Sequence, residues 1–128
     1  MQDRPTAAEL LRDIAELLEG EALQATHGAL RHKIRVAGNL CRILEREVAS
    51  GPAHEAREIE LLAGLLAEPS DGHGAESLGL AVGMRLDVGP DASFETDVWG
   101  ALVEIVRGKL AIAKPGHDAY DFSGEQKP

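Results

Sequence analysis

Five positions, Arg31, Arg35, Asn39, Arg42 and Arg46, advance by four, four, three and four residues. On a helix turning about 100° per residue they fall within roughly an 80° arc. The chain carries 13 basic and 22 acidic residues, a net charge of −9, so this is a basic stripe on an acidic protein. A planar guanidinium fork suits carboxylates, phosphates or a partner's acidic groove, and the two-sided amide of Asn39 can set the register of such a contact. The same arginines can instead pair with Glu45, Glu47 or acids of neighbouring helices and form an ordinary solvated face. Both readings stand at this stage.

Other reactive residue types do not assemble by spacing. No two of His27, His32, His54, His73 and His117 lie three or four apart, so none share a helix face as a zinc or di-iron helix motif requires, and no metal is expected. Cys41 falls in phase with Ala37 and Leu44, where a buried thiol acts as a small hydrophobe; it is the single cysteine, which rules out an internal disulfide. There is no glycine-rich phosphate loop, no Gly-x-Ser-x-Gly elbow and no kinase signature, and carboxylate pairs such as Glu45 with Glu47 are what an acidic chain produces by chance. No cofactor is expected, and a non-enzymatic role is favoured over a small enzyme with a site built from distant residues.

The elements that must carry the stripe are helices. Thr6 with Glu9 three residues on forms a capping-box start, and Leu10, Leu11, Ile14, Leu17 and Leu18 recur at helical spacing until Gly20, predicting a helix over 6–19. Leu30, Ile34, Ala37, Cys41, Leu44 and Val48 predict a second helix that Ser50, Gly51 and Pro52 end. Pro52 then suits the first turn of a third, whose stripe is Ala56, Ile59, Leu62, Ala63 and Leu66. Pro69 to Gly74 reads as a loop. A fourth helix over 75–87 contains Gly79 and Gly83, which either admit a close neighbour or leave the helix short or bent. A fifth, capped by Asp91 or Ser93, presents Val98, Leu102, Ile105, Val106 and Leu110 up to Lys114.

No alternating β-branched run appears, so the expectation is an all-α, single-domain helical bundle of four to five helices over 1–114. A tail over 115–128 would dock through Tyr120 and Phe122 or stay mobile. A chain of 128 residues can build a core unaided. The negative charge and the 3% aromatic content argue against nucleic acid or an anionic membrane as partner. No run suits a membrane span, and Met1 to Pro5 lack the plan of a signal peptide, so the chain reads as cytoplasmic. Wide apolar faces on the second and fifth helices would leave a hydrophobic strip whose commonest remedy is a two-fold homodimer.

The segments Gln2-Asp3-Arg4-Pro5-Thr6-Ala7-Ala8-Glu9-Leu10-Leu11, Lys33-Ile34-Arg35-Val36-Ala37-Gly38-Asn39-Leu40, Leu44-Glu45-Arg46-Glu47 and Lys109-Leu110-Ala111-Ile112-Ala113-Lys114-Pro115 together resemble the DUF6285 family, small bacterial proteins of unknown function. The resemblance covers nearly the whole chain. It departs at Lys114-Pro115, where the family usually reads Asn-Pro. It implies a partner, because such proteins are typically encoded beside an aminoglycoside-phosphotransferase-like kinase and an acyl-CoA dehydrogenase. The implied role is a non-catalytic accessory subunit of that kinase in acyl-CoA or hydroxy-acid catabolism, with Arg35, Asn39 and Arg46 at motif positions. The alternative is a helical module that encloses an acyl chain and receives the phosphates of an acyl-CoA on the stripe.

Overall fold

The computed structural model describes residues 3–116. His117, Tyr120 and Phe122, with the docking expected of the tail, lie outside the described residues. As expected, the chain is all-α: α1 (Ala7–Glu19), α2 (Glu21–Gln24), α3 (Gly28–Leu65), α4 (Ala75–Asp87) and α5 (Ala92–Ala113), with no strand among the described residues. No helix among them is long and apolar enough to cross a membrane.

The sequence signals at helix ends are largely realised. Thr6 Oγ1 accepts from Glu9 N at 3.2 Å while Glu9 Oε2 accepts from Thr6 N at 2.8 Å, which satisfies two of the first-turn amides that have no partner inside the helix. Asp91, rather than Ser93, caps α5 by accepting from Phe94 N at 3.1 Å.

One expectation is overturned. The second and third predicted helices are a single 38-residue element, α3, that runs through Ser50, Gly51 and Pro52. Proline removes one i→i−4 hydrogen bond, and its ring crowds the carbonyl four residues back, yet it need not end a helix whose flanks are held by packing. Before Pro52 in the chain, α1 lies against α3 through Arg12–Glu45 and Arg42–Glu19. After it, α5 does so through Arg57–Glu104 and Lys109–Glu58. Short α2 is the second difference, since it lies between the first and second predicted helices where the sequence pattern predicts no element.

The chain divides into two compact units at Pro52, Met1–Pro52 and Ala53–Pro128. In the first, α1 and α3 run antiparallel, since Arg12 meets Glu45 while Glu19 meets Arg42. The only residues buried in this unit, among those described, are Ala15 and Gly38. A Cβ added at Gly38 would stand 3.5 Å from Leu18 Cβ and 3.3 Å from Glu19 Cγ. The two helices therefore approach over small side chains. The larger residues of the predicted apolar stripes are not core here: Leu10, Ile14, Leu17, Leu30, Leu44 and Val48 are all about half exposed. Cys41 is half-buried.

The second unit holds the true core. Leu62 and Ala63 of α3, Leu78 and Val82 of α4 and Phe94 and Val98 of α5 are buried together, with Ile59, Leu66, Leu86 and Ile105 packed around them. Arg85 lies over the Phe94 ring, 3.9 Å from its centroid, and its guanidinium also donates to the Leu65 carbonyl at 3.2 Å. One side chain thus meets an unpaired carbonyl at the end of α3 and stacks on the first buried aromatic of α5. Gly79 and Gly83 admit no neighbour, since a Cβ at either would meet nothing within 4 Å.

The end of α3 is a Schellman turn. Glu68 N donates to Ala63 O at 3.0 Å and Ala67 N to Gly64 O at 3.2 Å, and Ala67 takes the left-handed position with φ of 54°. An alanine there bears a steric cost that glycine avoids. Ala67→Gly is expected to raise stability by about 1 kcal/mol, read as a higher urea midpoint at unchanged slope. In the same assay, Phe94→Ala is expected to cost about 3 kcal/mol because it empties the core at its most buried aromatic. An unchanged midpoint in either variant would contradict these assignments.

Candidate functional site

The stripe divides into an arginine paired within the chain and residues left exposed. Arg42 is committed to structure: its Nε and Nη2 donate to the two oxygens of Glu19 at 3.0 Å each, and its Nη1 donates to Glu45 Oε2 at 3.1 Å. The other oxygen of Glu45 accepts from Arg12 Nε at 2.9 Å. The result is a four-residue chain, Arg12–Glu45–Arg42–Glu19, in which each carboxylate is engaged by a fork-shaped donor. For Arg42 the reading of a self-paired helix face is the one realised. The Glu45 half of the pairing is local, an i,i+3 neighbour on α3, whereas Glu19 arrives from α1.

Arg31, Arg35 and Asn39 stand exposed on the same side of α3. Neither Arg31 nor Arg35 forms an ion pair with any described residue. Arg46 is half-buried and engaged, its carbonyl accepting from Ser50 Oγ at 2.8 Å. Of the five stripe residues, then, Arg31, Arg35 and Asn39 offer exposed donors, while the Arg42 side chain is committed to two carboxylates. Arg42 is held in one geometry by two carboxylates, so the helix face that carries the open donors is fixed relative to α1.

Hydrogen bonding dominates the electrostatics of the network. The Glu19 bonds, then those of Glu45, push the Arg42 guanidinium further above its usual range. The Arg12 bond first, with Arg42 behind it, holds the Glu45 carboxyl below the usual carboxylate range, and Arg42 does the same for Glu19. Among the described residues, no three His, Cys, Asp or Glu side chains come together in a way that could hold a metal ion.

Because Glu19 and Glu45 are more acidic in the folded chain than in the unfolded one, their stabilising contribution is complete above the ordinary glutamate pKa of about 4.3 and is lost as pH falls through their lowered values. Glu45→Gln is therefore expected to be less stable than the native chain at neutral pH, with the gap closing below about pH 4. Chemical denaturation followed by far-ultraviolet circular dichroism at several pH values reads this directly. A gap independent of pH would mean that the carboxylate charge is not what joins α1 to α3.

A model for a domain of unknown function, DUF6285, matches residues 24–117. The match opens at the end of α2 and takes in α3, α4 and α5, so the open donors of α3 lie within it while α1 and its capping box precede it. No curated protein and no solved structure is significantly similar to the chain.

Proposed function

The chain belongs to the DUF6285 family, and from that premise we propose that it is a non-catalytic accessory subunit, one that binds a phosphotransferase-like kinase of acyl-CoA or hydroxy-acid catabolism through the open donors of α3. The observation that carries this reading is the division of the stripe. Arg42 is spent on fixing α1 to α3, while Arg31, Arg35 and Asn39 are left exposed on the same side of a chain of net charge −9. Cationic donors held on a rigid element of an acidic protein favour a partner surface that carries carboxylates, and electrostatic matching of this kind sets encounter rate and register more than raw affinity. The resemblance in the motif around Arg35 and Asn39 supplies the kinase as the class of partner.

The experiment is an affinity capture from the host's cytosol at moderate salt, followed by binding measurements on the purified pair. The native chain is expected to retain the kinase in near-equal amount, and Arg35→Glu, alone or with Arg31→Glu, to weaken the complex about tenfold or more at unchanged helicity. Arg42 is unsuitable as a probe because its loss would also release Glu19 and Glu45. Undiminished binding by the double variant would remove the stripe from the interface. Heat on titration with acyl-CoA, with no kinase recovered, would replace the accessory-subunit reading with a ligand-binding one.

A further inference from the structure

Leu10, Ile14 and Leu17 of α1 and Leu40, Leu44 and Val48 of α3 are each between 47 and 54% exposed. On their own helices these residues advance by four and three, and by four and four, so each set forms one row. Both rows turn away from the contact line of Ala15 and Gly38 in the sense opposite to Arg12, Glu19 and Arg42. Because the helices are antiparallel, that places the two rows on one side of the pair and the ion-paired network on the other. The pair is closed by charge on one side and open and aliphatic on the other.

We propose that this face is the seat of a second copy of the chain, and that two α1–α3 pairs close face to face into a four-helix arrangement about a two-fold axis. Three observations choose a second copy. The unit that bears the face buries only Ala15 and Gly38 among its described residues, as half of a bundle does when its core is completed across a symmetry axis. The exposed parts of the six side chains amount to on the order of 500 Å² per chain, and flanking side-chain stems bring that toward the roughly 800 Å² per partner of a standard interface. Finally, Lys33 and Glu47 lie two helical turns either side of Leu40, on the same edge of α3, and both are exposed. A copy turned about an axis through Leu40 brings the lysine of each α3 to the glutamate of the other, so the face is complementary to itself in charge as well as in shape. The stripe of Arg31, Arg35 and Asn39 stays outside this contact, so the inference stands whether or not the kinase reading does.

Sedimentation equilibrium of the full chain tests this. The native protein is expected to have twice the chain mass at about 100 µM and to dissociate on dilution. Leu44→Glu is expected to be monomeric, and Arg35→Glu to remain dimeric. Lys33→Glu is expected to weaken the dimer about tenfold, and Lys33→Glu with Glu47→Lys to restore it. The last two changes lie on exposed positions and leave the α1–α3 contact intact, so they decide the matter even if Leu44→Glu fails to fold. A monomeric native chain, a dimer indifferent to Leu44→Glu at retained helicity, or a double charge reversal no stronger than the single one would each overturn the proposal.

Discussion

Two helices touch along a line, and whatever stands on that line decides what remains for the rest of the surface. Between α1 and α3 the line is occupied by Ala15 and Gly38, the small residues that let backbones approach. Close approach brings Glu19 within reach of Arg42 and Arg12 within reach of Glu45 on one flank, and it leaves Leu10, Ile14, Leu40 and Leu44 standing outward on the other. The ion-paired network and the aliphatic face are two results of one packing choice. A bulky residue at position 38 would separate the helices and undo both together.

Some of this was legible in the residues. The Thr6–Glu9 box, the Asp91 cap and the limits of α1, α4 and α5 rest on local chemistry, and local chemistry is what a sequence displays. The continuity of α3 was not legible. Ser50, Gly51 and Pro52 carry the signals of a helix end, and what overrides them is packing contributed by α1 to the part of α3 before Pro52 and by α5 to the part after it. The fate of the stripe was half legible. The i,i+3 partner of Arg42 is visible in the spacing to Glu45, but Glu19 is 23 residues away, and only the tertiary contact distinguishes Arg42 from Arg35.

Periodicity likewise says which residues share a face and not what covers it. Leu44 and Val48 recur in phase with Cys41 as a core stripe would, yet they are half exposed while Cys41 turns further inward. Leu62 and Ala63, read in the same way, are core. The difference is the number of neighbouring elements. The C-terminal unit surrounds its residues with three helices, and the N-terminal unit offers its residues one long neighbour. Amphipathic spacing is identical in the two settings, so the distinction enters only with the fold.

The placement of the aromatic residues has an optical consequence. The one tryptophan, Trp99, lies on α5 and is 68% exposed, and residues 1–52 contain no Phe, Trp or Tyr at all. Near-ultraviolet absorbance and intrinsic emission therefore carry no signal that originates in the α1–α3 pair. The indole, already in water in the native chain, gives up little contrast when the chain opens. A melt followed by fluorescence would register the C-terminal helices faintly and the N-terminal pair not at all, so an N-terminal unit that opened first would do so in the dark.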